Sequence, residues 1–143
     1  MEDARQLIGR WRLVSWTAVD DEGRGEHPVG DRPQGFAVFL PDGLAAVQVA
    51  ATDRPAMSGI DPFAAPESEQ ARAFATYLAY VARYEVRQDL VVLKPEMSLW
   101  PNQLGTEQVR RYRFEDGELV LQPPPVEIRG RRLTHELRWR RED

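Results

Sequence analysis

Along most of this chain apolar and polar residues alternate in short tracts, each closed by a turn signal. Alternation with period two places successive side chains on opposite faces of a β-strand. Residues 11–19 open the series with a tract rich in β-branched and aromatic residues, ended by Asp20-Asp21-Glu22-Gly23. A polar loop containing Gly25, Pro28, Gly30 and Pro33 follows. Residues 36–40 and 44–49 then flank Pro41-Asp42-Gly43, a hairpin signal in which Pro presets φ and Gly accepts a positive one. Further strands are predicted over 80–87, 91–99, 108–114, 118–122 and 133–141. Asp116-Gly117 marks a second hairpin, and Pro123-Pro124-Pro125 stops the strand before it. Residues 2–7 read as one helical turn closed by Gly9. Residues 52–66 are irregular, bent by Pro55, Pro62 and Pro66. Acids ahead of alanines predict one helix over 67–76, started by Ser68 or Pro66. About eight short strands with tight turns and one short helix in an insertion suit an all-β fold, a closed antiparallel up-and-down barrel. With 143 residues, no internal repeat and no long linker, residues 1–143 form a single domain.

Composition narrows the function more than the fold. The 42% hydrophobic and 29% charged residues suit a globular chain, and no apolar run is long enough to span a bilayer, so no membrane partner is expected. The acidic start, Glu2-Asp3, does not read as a signal peptide, and the absence of cysteine excludes disulfides and thiolate chemistry. A cytoplasmic protein is the expectation. The formal charge of −4 argues against a nucleic-acid partner. Between Thr106 and Asp143 nine arginines face eight acids, so this stretch reads as solvated strand faces carrying cross-strand ion pairs.

Strand phase gives an inward set. With Trp11 turned inward, Leu13, Ser15 and Thr17 follow it; the next strands contribute Tyr80, Ala82, Tyr84 and Val86, then Leu93, Pro95, Met97 and Leu99. The last strands contribute Arg110, Tyr112 and Phe114, then Leu133, His135, Leu137 and Trp139. This interior is mostly apolar and aromatic, as ligand cavities are. The candidate ligand-binding residues are therefore Leu13, Ser15, Tyr80, Tyr84, Leu93, Met97, Phe114, Leu137 and Trp139. His135 is the candidate acid or base, or else a half-buried strand histidine bonded to a neighbour. The tyrosines either orient a carbonyl or fill the barrel. An inward Arg110 needs a partner: a salt bridge with Glu96 or Glu107 is expected, with a ligand carboxylate or enolate as the alternative. No metal is expected, because His27 and His135 would have to converge with carboxylates and no ligand spacing suggests it. No phosphate-binding glycine loop or nucleophile elbow is present, and no cofactor is expected.

Leu7-Ile-Gly-Arg-Trp-Arg-Leu-Val-Ser15, Tyr80-Val-Ala-Arg-Tyr-Glu-Val86, Ser98-Leu-Trp-Pro-Asn102, Gly105-Thr-Glu-Gln-Val-Arg-Arg-Tyr112 and Leu137-Arg-Trp-Arg-Arg141 occur in order along nearly the whole chain. Together with Pro41-Asp-Gly43 and Asp53-Arg-Pro55 they resemble the bacterial lipocalin-like domain family. The resemblance implies a closed lipocalin-like barrel with a central cavity. It also implies that Trp11 packs beneath that cavity against Arg141, or Arg140 if the phase differs, as a structural plug. A histidine commonly stands near the position of Leu93 in the family; Leu93 carries no proton, so no chemistry transfers to that spot. The function implied is binding of a small, largely apolar metabolite, with catalysis as a cofactor-independent cyclase or isomerase of secondary metabolism. His135, Tyr112 and Arg110 are the expected catalytic groups. The alternatives are a non-catalytic carrier, or a filled barrel that meets a protein partner through Trp16 and residues 52–66. A homodimer is compatible with each.

Overall fold

The computed structural model describes residues 4–142. Among the described residues ten antiparallel strands are present: β1 (Gly9–Asp20), β2 (Gly25–Glu26), β3 (Gln34–Phe39), β4 (Leu44–Ala50), β5 (Tyr77–Arg87), β6 (Leu90–Ser98), β7 (Gln108–Glu115), β8 (Glu118–Gln122), β9 (Val126–Ile128) and β10 (Arg131–Glu142). The order β1-β3-β4-β5-β6-β7-β8-β10 returns onto β1, so eight strands close a barrel, with β2 and β9 appended to β1 and β10. Closure removes the unpaired edges that an open sheet would present. One helix, α1 (Glu67–Ala75), lies in the β4–β5 connection and buries no residue. It starts at Pro66 with no side-chain cap. Among the described residues no helix is long and apolar enough to cross a membrane.

The predicted turns form. Gly43 N–H bonds Leu40 O at 3.2 Å, and Asp116-Gly117 takes positive φ at both positions, the geometry that matches strand twist in a two-residue hairpin. The sequence reading left two strands unassigned: the two-residue β2 in the polar loop, and β9, joined to β10 through Arg129-Gly130 with the same paired positive φ. The N-terminal helical turn is a 3₁₀ turn at Ala4–Leu7; its expected start at Glu2 lies outside the described residues.

Two β-bulges change the predicted phase. In β1 the pairing with β10 slips between Leu13 and Ser15, leaving Val14 as the extra residue. Trp16 and Ala18 consequently oppose the inward Leu137 and His135, whereas Ser15 and Thr17 turn away from the interior. In β6 the register shifts opposite Val81/Ala82, so Ser98 joins the face of Tyr80 and Met97 turns outward, 69% exposed. The expected inward positions of Ser15, Thr17 and Met97 are therefore corrected, because a single inserted residue reverses everything beyond it. The exposed Trp16 of the protein-partner reading is corrected for the same reason.

One end of the barrel is sealed. The Trp11 indole N–H donates to Leu7 O at 2.9 Å, and the Arg141 guanidinium lies 4.3 Å over the Trp11 ring. Arg141 also donates to the carbonyls of Ile8, at 2.9 Å, and Gln6. The expected Trp11–Arg141 plug is present. Gly9 makes room for it: φ is +135°, and a Cβ would stand 2.6 Å from Arg141 Nη1. Above this plug Phe114 packs on Trp11 and edge-on against Tyr112, and Tyr84 meets Phe39 edge-on while its hydroxyl donates to Leu40 O at 2.6 Å. The outer face carries the expected cross-strand ion pairs, among them Arg138–Glu115 at 2.9 Å and Arg140–Glu118 at 3.1 Å. Near the other end, the buried Asp20 accepts from Arg24 and Arg131, tying β1 to the start of β10. Burial alone would raise the Asp20 pKa, but the hydrogen bonds from Arg24, Arg131 and Glu22 N–H outweigh it and hold the carboxyl at about 2.

Candidate functional site: the upper chamber of the barrel

Opposite the plug the barrel is hollow. A chamber of about 450 Å³ extends from the mouth to the level of Phe39 and Trp139. Every one of the eight barrel strands contributes to its wall, with Trp16, Phe39, Val47, Val49, Tyr80, Leu93, Arg110, Leu121 and Leu137 among the contributors. That volume lies in the range of sites that enclose small organic molecules. The mouth is formed by the long connections: Trp100 and Gln103 between β6 and β7, and Pro123 and Pro124 after β8. The short turns that join neighbouring barrel strands, β3–β4, β5–β6 and β7–β8, lie at the plugged end, where tight loops leave nothing to frame an opening.

Polar groups interrupt this apolar wall: His135, Tyr80, Arg110 and Trp139, together with Gln103, Glu107 and Gln108. His135 accepts the Trp16 indole N–H at Nδ1, 2.9 Å away, which places its own proton on Nε2. Partial burial lowers the His135 pKa; Glu26 opposes that shift and Arg110 adds to it. Tyr80 is buried, which raises its phenol pKa, while the nearby Arg110 pulls the other way. Arg110 is half-buried, and among the described residues its donors reach only Val109 O at 3.0 Å and Gln108 Oε1 at 3.5 Å. Burial lowers its pKa and Tyr80 counteracts this. Trp139 is 1% exposed, and its indole N–H has no hydrogen-bond partner among the described residues.

The expected Arg110 salt bridge does not form. Glu96 pairs with Arg83 at 3.5 Å on the outer strand face, and Glu107, in the β6–β7 connection at the chamber's edge, faces Lys94 at 3.6 Å and Arg87 at 4.0 Å. Among the described residues no carboxylate lies within ion-pair distance of Arg110. Neither do three His, Cys, Asp or Glu side chains converge there to hold a metal.

Of the candidate residues, the structure brings Tyr80, Leu93, Arg110, His135, Leu137 and Trp139 together around the chamber. Leu13, Tyr84, Tyr112 and Phe114 also belong to the core but pack outside the chamber wall, so they do not reach its contents. Ser15 and Met97 lie beyond the bulges. Trp16, Phe39, Val47, Val49, Leu78, Leu121, Trp100 and Gln103 were not anticipated. Extending the alternation to residues 36–49 would have found Phe39, Val47 and Val49; Trp16 was hidden by the bulge at Val14.

A closed barrel plugged at one end and hollow at the other defines a cavity protein. The sequence profile of the lipocalin-like domain matches residues 8–142, and the chain belongs to that family. No curated protein sequence matches it. Among solved structures it is similar to the REP1-NXSQ fatty acid transporter, at 10% identity over 98% of both chains with a TM-score of 0.44. It is also similar to two variants of the fluorescent protein UnaG, each at 12% identity with a TM-score of 0.43. One alignment covers 99% of both chains; the other covers 97% of this chain and 98% of that one.

Proposed function

We propose that this protein takes a small, largely apolar molecule into the upper chamber of its barrel. The observation that carries this reading is the chamber itself, about 450 Å³ and walled mainly by apolar side chains from all eight strands. A preformed hollow needs little reorganisation on binding, so burial of an apolar ligand is opposed by little beyond the ligand's own lost freedom. N-Phenyl-1-naphthylamine, a neutral apolar dye, is expected to brighten and shift to the blue on addition of the protein. Leu93→Trp and Val49→Phe, which place extra volume in the chamber, should each abolish the response while circular dichroism still reports strands. A dye response that survives both changes would place the binding elsewhere.

A second reading is catalysis without a cofactor, as a cyclase or isomerase. It is favoured by the grouping of His135, Arg110 and Tyr80 around one apolar space. His135 Nε2–H and the Arg110 guanidinium would hold a substrate carbonyl and stabilise charge gathering on its oxygen, while the wall holds the chain in a reactive fold. Tyr112, in the core outside the wall, has no part in this. Turnover of a candidate substrate should fall in Arg110→Met and His135→Ala while dye binding persists; retained turnover in both would remove the assignment.

A further inference from the structure

Resting on the chamber reading above, we propose that the occupant is an organic acid whose ionised oxygen group, a carboxylate or an ionised enol or phenol, is held by Arg110. The acceptors of the lining, on Gln103, Glu107 and Gln108, already face donors of the protein itself, whereas several donors remain. Arg110, His135 Nε2–H and the Tyr80 hydroxyl all have hydrogens to give. The acceptors at the mouth are already engaged. Gln103 Oε1 takes the Ser98 hydroxyl at 2.6 Å, and Glu107 is turned to Lys94 and Arg87.

Arg110 also breaks the pattern of its neighbours. Arg111, Arg113, Arg138 and Arg140, on the outer face of β7 and β10, each have a carboxylate within 4 Å. The inward Arg110 has none among the described residues. A half-buried cation against an apolar wall loses hydration without gaining a counter-ion, and an anionic ligand would restore the balance. An alcohol or amine of the same shape would leave the charge uncompensated.

The test is displacement of N-phenyl-1-naphthylamine at pH 7.5 by 2-naphthoate and by 2-naphthamide, which differ little except in charge. Wild type should bind the acid roughly ten- to a hundredfold more tightly than the amide, the span of a charge-assisted hydrogen bond. Arg110→Met and Arg110→Gln should erase that preference, with circular dichroism that still reports strands showing that both variants fold. Equal affinities in wild type, or a preference that survives both Arg110 substitutions, would overturn the assignment. If wild type takes up the dye but shows no preference, the chamber reading stands and the acid reading falls. If it takes up no dye, both fall.

Discussion

The two halves of this barrel use the same two residue types to opposite ends. In the sealed half, Trp11 gives its indole N–H to Leu7 O, and Arg141 covers the ring while donating to the carbonyls of Ile8 and Gln6. In the hollow half, Trp139 packs into the wall with its N–H unpaired but out of reach of the chamber, and Arg110 has no carboxylate among the described residues. Satisfied polar groups around a packed ring make structure; unsatisfied ones around a void are what a guest can complete. A tryptophan or an arginine in an inward position is therefore ambiguous until its partners are known.

The contrast is most sharply tested by substitution. Trp11→Ala, which empties a fully buried aromatic site, should cost about 3–5 kcal/mol in urea denaturation. A cost below about 1 kcal/mol would mean that the plug is not what closes that end. Arg141→Ala, which removes a cation–π contact and two carbonyl bonds, should cost about 1–3 kcal/mol, whereas Arg110→Met should leave stability unchanged or raised. Comparable losses at Arg141 and Arg110 would abolish the distinction between the halves.

A subtler effect concerns pH. Burial lowers the His135 pKa in the folded barrel relative to its ordinary value of 6.5, so as pH falls the unfolded chain takes up that proton first. The contribution of neutral His135 is complete above 6.5 and is lost as the pH drops through the folded value. Stability measured at pH 7.5 and 5.5 should thus fall more in wild type than in His135→Gln; equal falls would show that burial leaves the His135 titration unchanged on folding. In still more acid solution the Asp20 clasp follows the same sign. Its contribution is present above the ordinary carboxyl value of 3.8 and fades as pH falls through about 2.

Much of the architecture was readable from residues alone. Alternation and the turn pairs Asp42-Gly43 and Asp116-Gly117 located all eight barrel strands, because those signals are local and depend on φ preferences that no tertiary contact needs to supply. The site was readable only in part. Alternation tells whether a side chain points in, not whether it ends in the packed core or on the chamber wall, so Tyr112 and Phe114 looked equivalent to Arg110 on the same strand. A bulge is a further blind spot: nothing in Leu13-Val14-Ser15 announces the extra residue that turns Trp16 inward. The Arg110 partner was misjudged because sequence proximity to Glu107 says nothing about the face on which Glu107 meets Lys94.

The seam between β1 and β10 bears on how the chain reaches its native state. Arg12 and Glu142 bond across it although 130 positions separate them. Bringing such distant segments together costs chain entropy that local hairpins do not incur, so these contacts should form late and slowly. During refolding, pulse-labelled hydrogen exchange should find the amides of Phe36–Val49 protected before those of Trp11–Asp20. The opposite order would make the seam the nucleus. If the hairpin leads, the interior stays wet until the final strand docks, and a hydrophobic guest can stabilise only the finished ring and not its precursors.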